Sequence, residues 1–211
     1  MQKQKTIYHL IVDKSGSMTD CIEPTISGFN EQVTKIQQLE KEYSEQEITI
    51  GLTTFNHEVY HHFFQSPAAA VRKLDTDNYR PDGTTALIDA IGMTVQTIEK
   101  EIQHHNNQSN TTVVIVILTD GYENASQSFK LQDIKKTISR LEETGKWTFS
   151  FIGATLDAVD MAEAMSIKRH NSFRFSKSDM KTGLFDKLGH SMDNYMNKKR
   201  SGRDLGDFFS K

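Results

Sequence analysis

Apolar runs short enough to be strands alternate along this chain with segments whose apolar residues recur every three or four positions. That alternation constrains the fold more than any other feature. Residues 111–120, "TTVVIVILTD", are apolar on both faces, as a strand in the middle of a parallel sheet must be. "TIYHLIV" (6–12), "EITIGLTTF" (47–55) and "WTFSFIGA" (147–154) read the same way, and "SFRF" (172–175) as a small edge strand. Between them, Ile22, Ile26, Phe29, Val33, Ile36 and Leu39 form one helical stripe, and Leu87, Ile91, Val95, Ile98 and Ile102 a second. Leu131, Ile134, Ile138 and Leu141 mark a third helix, "LDAVDMAEAM" a short fourth, and residues 177–200 a last one. Strands separated by helices of ten or more residues imply a parallel, doubly wound α/β sheet with helices on both faces. "EVYHHFF" (58–64) follows its predecessor after only two residues, so it is expected to pair antiparallel at an edge.

The first strand ends in "DKSGS". Asp13, Ser15 and Ser17 therefore fall beyond the carboxyl end of a strand, where ligands bind in open α/β sheets. The run 111–120 delivers Thr119 and Asp120 to the same edge, and "RPDGTTAL" brings Thr84 and Thr85 to the start of the second helix. Two carboxylates and several hydroxyls converge, with no imidazole or thiolate among them. An all-oxygen set suits a hard cation such as Mg2+. The competing reading is plain turn chemistry, because Asp, Ser and Thr also cap helices. Thr84 and Thr85 are equally able to cap.

Taken together, "DKSGS", a threonine of "GTTAL" and the aspartate of "LTDG" resemble the metal-ion-dependent adhesion site of von Willebrand factor A domains. The likeness spans about residues 5–176. It implies a Rossmann-like, mostly parallel six-stranded sheet with one antiparallel edge strand. It also implies Thr85 rather than Thr84 as the ligand, with Ser15 and Ser17 beside it on the metal, directly or through water. Asp13 and Asp120 would stand in the inner or outer shell. Mg2+ or Mn2+ is implied ahead of Ca2+. A Glu or Asp carboxylate from a partner protein would complete the coordination, and Tyr122, Glu123 and Asn124 would line the rim that the partner touches. Many bacterial members occur without attached domains, and this chain is expected to be of that stand-alone type.

An enzyme is the alternative: a metal-dependent phosphohydrolase with Asp13 as nucleophile. That chemistry wants a second acid two residues on, where this chain has Ser15, and a lysine near the phosphate, where none is clearly placed. A scaffold that uses another face, such as the hairpin "FNHEVYHHFF", is the third reading. His9 shares a strand face with Asp13 but lies four residues, about 13 Å, away. His57, His61, His62, His104 and His105 read as surface groups, and Cys21 as a small packed residue.

Net charge is −3, so no global basic field invites nucleic acid. The lone cysteine, the absence of a leader-like start and the lack of any apolar run near the length of a membrane helix lead to the expectation of a soluble cytoplasmic protein. One domain over residues 1–200 is expected, its core about 5–176 and its last helix 177–200. Residues 201–211 are expected to form a loose tail, with docking of Phe208 and Phe209 left open.

Overall fold

The structure, a computed structural model, describes residues 3–104, 110–120, 123–154, 156–176 and 183–209. Six strands form one sheet: β1 (Gln4–Asp13), β2 (Gln46–Phe55), β3 (Val59–Ser66), β4 (Thr111–Thr119), β5 (Trp147–Gly153) and β6 (Ser172–Arg174). Their order is β3-β2-β1-β4-β5-β6, and every pairing is parallel except β2 with β3. The helices are α1 (Ile22–Glu42), α2 (Leu87–His104), α3 (Leu131–Glu143), α4 (Leu156–Ala164) and α5 (Leu184–Arg200). The doubly wound α/β architecture is the one the alternation implies.

Period two in the strands divides the core. Tyr8, Leu10 and Val12 of β1 and Val114, Val116 and Leu118 of β4 meet α1 and α5 on one face. Ile7 and Ile11, with Val113, Ile115 and Ile117, meet α2 and α3 on the other. On the first face α5 lies close to α1 because Gly28 has no side chain. A Cβ there would stand about 2 Å from the Phe185 ring.

Two boundaries differ from expectation. The last helix begins at Leu184, after Gly183 with φ 138°, and residues 177–182 lie outside the described residues. The tail is tied down over its described part. Phe208 is 1% exposed, its N–H donates to Asn171 Oδ1 at 2.8 Å, and its ring lies 6.2 Å from that of Tyr195. An aperiodic segment gives no helix or strand signal, yet one aromatic side chain of this size anchors it.

The edge hairpin hides a polar chain. His9 of β1 is fully buried, and Gly51 opposite it leaves room for the ring, since a Cβ there would meet Nδ1 at 2.1 Å. Thr53 Oγ1 is shared by His9 Nε2 (2.9 Å), His61 Nδ1 (3.0 Å) and the Thr94 hydroxyl (3.1 Å). His62 Nε2 meets Thr54 Oγ1 at 2.8 Å. His61 and His62 keep exposed surface, as the sequence reading expected of them, but each also bonds into the sheet through one ring nitrogen.

Burial pushes the pKa of His9 down to about 3, with the neighbouring His61 adding to the effect, and burial also lowers His61 and His62. A histidine depressed below its unfolded value near 6.5 makes the folded state bind fewer protons than the unfolded one. Its contribution to stability is complete above that value and is lost as pH falls toward 3. Denaturant titrations should show stability falling by about 2 kcal/mol for His9 alone between roughly pH 6.5 and 5. In His9→Gln the same pH change should cost less.

Candidate metal site at the ends of β1 and β4

The chain winds outward from β1 in both directions, through β2 and β3 on one side and β4 to β6 on the other. The crevice between β1 and β4 is the switch point where such sheets bind ligands. Asp13 closes β1 with no exposed surface, and Asp120, just past β4, is 6% exposed. Their surroundings are hydroxylic. Asp13 Oδ1 accepts the Ser15 N–H at 2.7 Å, and Oδ2 accepts the Thr119 hydroxyl at 2.6 Å. Ser15 Oγ lies 3.2 Å from Ser17 Oγ, which donates to Asp120 Oδ1 at 2.6 Å. Four of the five anticipated residues are therefore one hydrogen-bonded group. Ser15 precedes a short 3-10 turn, Gly16–Cys21, but its side chain makes no capping bond there, so helix capping does not account for it.

The fifth residue arrives on a loop tied to both of its neighbours. Gly16 N–H donates to Gly83 O at 3.0 Å. Thr85 N–H donates to Asn124 Oδ1 at 2.9 Å, while Thr85 O accepts from Asn124 N–H (3.0 Å) and Ala125 N–H (3.2 Å). Thr85 is 3% exposed, whereas Thr84 faces solvent. From below, the Tyr79 hydroxyl donates to the Asp13 carbonyl at 2.6 Å.

Burial is the main force on the Asp13 carboxyl and pushes its pKa up to about 6; the Thr119 and Ser15 bonds pull it back, and the Asp120 charge adds to the rise. Two acids sit close together in a dry place, where positive charge is favourable. Every donor is an oxygen, a set that fits Mg2+ or Mn2+. Among the described residues, no group of three or more His, Cys, Asp or Glu side chains is placed to hold a metal, so a cation here would depend on the hydroxyls. Cys21 is buried in the core, away from any such role.

The expected rim divides. Tyr122 lies outside the described residues. Asn124 is exposed and holds Thr85. Glu123 turns inward: its carboxylate accepts Ile88 N–H (2.8 Å), Ala125 N–H (3.0 Å), Ser126 N–H (2.8 Å) and the Ser126 hydroxyl (2.8 Å). It staples the loop after β4 to the first turn of α2, where negative charge is favoured. Asp89 of α2 returns the link, accepting the N–H groups of Gln127, Ser128 and Phe129. The sequence reading missed Asp89, Tyr79 and the Thr119 bond to Asp13. An acid in a first helical turn was the available signal for Asp89; nothing periodic marks the other two.

A family model for the von Willebrand factor type A domain matches residues 9–188. Among solved structures, the vWF domain of the type V pili tip protein Mfa5 from Porphyromonas gingivalis superposes with TM-score 0.59 at 11% identity, covering 92% of this chain and 97% of that one. The SpRpn10 VWA domain gives 0.51 at 13%, covering 85% and 94%. Proximal thread matrix protein 1 from the mussel byssus gives 0.55 at 14% identity. The match covers 90% of this chain and 46% of the mussel protein, so this chain spans less than half the length of that relative. At such identities the likeness is one of fold. A search of curated proteins returns no match.

Glu123 provides a test of the loop architecture. Replacing it by alanine strips four hydrogen bonds from the loop and the α2 terminus, and should lower stability by about 1–3 kcal/mol in denaturant titrations. An unchanged midpoint would mean that the side chain is a free rim group.

Proposed function

The chain belongs to the von Willebrand factor type A family, and on that premise we propose that it is a metal-dependent protein-binding module. Ser15, Ser17 and Thr85 would hold Mg2+ or Mn2+ directly or through water, with Asp13 and Asp120 beside them. Neutral hydroxyl donors cancel little of a cation's charge, so the bound ion would offer a Lewis-acidic position to one more anionic ligand. The ligand that fits is a Glu or Asp carboxylate on a partner protein. The observation that carries this reading is the hydroxyl chain from Ser15 through Ser17 to Asp120, which joins the loop after β1 to the end of β4.

The same geometry favours gripping over turnover. Both oxygens of Asp13 are already engaged, by a backbone N–H and by Thr119, and the side chain has no exposed surface. Lys14, the adjacent lysine, sends its ammonium over the Tyr60 ring, 3.8 Å from the centroid.

Calorimetric titration with Mg2+ and Mn2+, with melting curves alongside, tests the proposal. Wild type should bind saturably and melt higher with metal. Asp13→Asn should lose both responses. In metal-free buffer this variant should melt no lower than wild type, because it removes a buried charge and keeps the side chain's shape. A wild type indifferent to either metal, or a variant that still responds, would overturn the reading.

A further inference from the structure

At the opposite end of the sheet, where β1 and β4 begin, the surface holds a pocket of about 240 Å3. Lys146, Lys199 and Arg203 line it with Thr111 and Thr112, and among the described residues no Asp or Glu borders it. In a chain of net charge −3, this spot reverses the overall sign.

Lys199 is the central group. It reaches from α5 to the strand starts and donates to the Lys5 carbonyl (2.8 Å), Thr6 Oγ1 (2.7 Å) and Thr112 Oγ1 (3.0 Å). These partners satisfy its three N–H groups, but all are neutral and leave its charge uncompensated. No ion pair among the described residues includes Lys199. Burial accordingly lowers its pKa to about 8.

Helix C-termini gather at this end and attract basic residues by their partial negative charge, which is the plainer explanation of the cluster. Their carbonyls are already served by backbone, however. Ser201, Gly202 and Arg203 N–H groups close the last turn of α5, and those of Thr144 and Gly145 close that of α3. Lys199 points away from these carbonyls, toward the sheet.

Thr111 supplies an independent sign. It is nearly fully buried, and its hydroxyl has no hydrogen-bond partner. A buried polar atom left unpaired costs about 1–3 kcal/mol, so a turn of this lining side chain that brings its hydroxyl to an acceptor in the pocket is favoured. Thr111 and Lys146 also border an adjoining groove of about 330 Å3, whose apolar lining includes Ile102, Leu141 and Trp147.

We propose that this pocket binds the phosphate group of a small phosphorylated molecule. Lys146 and Arg203 pair with the phosphate oxygens, the Thr111 hydroxyl donates to one of them, and Lys199 adds its charge from beneath. The organic part lies along the adjoining groove. Three cations suit a phosphate dianion better than a single carboxylate, and the site is independent of the metal centre at the other end of the sheet.

The test is calorimetry on the full chain at low ionic strength in buffer free of divalent metal, with inorganic phosphate and phenyl phosphate as probes. Saturable binding in the millimolar range or tighter is expected. Tighter binding of the ester identifies an organic phosphate as the natural class; equal binding identifies free phosphate. Binding should weaken roughly tenfold for each cation removed in Lys146→Ala and Arg203→Ala. Thr111→Val should weaken it several-fold without lowering the melting temperature. No saturation with either probe, or affinity unmoved by these three substitutions, would overturn the proposal.

Discussion

The ends of β1 and β4 each bring a carboxylate into a largely dry crevice, and hydroxyls hold both in place. Thr119 and the Ser15 N–H fix Asp13, and Ser17 fixes Asp120. Burial resists a charged Asp13 and raises its pKa, and the Asp120 charge adds to that rise. The surrounding architecture secures that unfavourable arrangement. Tyr79 grips the Asp13 carbonyl, Glu123 and Asp89 lock the loop after β4 to α2, and Asn124 holds Thr85 against it.

The candidate site at one end of the molecule is separated from the packing in the middle. The sheet interior is largely apolar, with aliphatic and aromatic side chains divided between two faces, so it tolerates polar loops at its edge without exposing core. A chain of hydrogen bonds runs through it from buried His9, Thr53 and Thr94 out to His61 on the β3 edge. It trades apolar contact for hydrogen bonds that need neutral histidines, and makes stability sensitive to acid at a place remote from the carboxylates.

Much of this was legible in the residues. Period-two and period-3.6 patterns located the strands and most helices, because those patterns are the direct trace of which face is buried. Asp13, Ser15, Ser17 and Asp120 could be placed together because strand ends in a parallel sheet share one edge. What escaped were contacts made by single side chains across long loops. Tyr79 reaches Asp13 from 66 residues away, Asp89 gathers three N–H groups from residues 127–129, and Phe208 buries an aperiodic tail. Glu123 shows the same limit: its position near the crevice was readable, but its inward turn depends on where α2 starts. Such contacts depend on tertiary placement, and no local pattern encodes them.

If the oxygens at the β1 and β4 ends hold a divalent cation, a crystal grown with Mn2+ will reveal it through the ion's anomalous scattering. The expected result is an anomalous peak bounded by the side-chain oxygens of Ser15, Ser17 and Thr85, with Asp13 and Asp120 next to it. A well-ordered crevice with no peak, or a peak only elsewhere on the molecule, would contradict it.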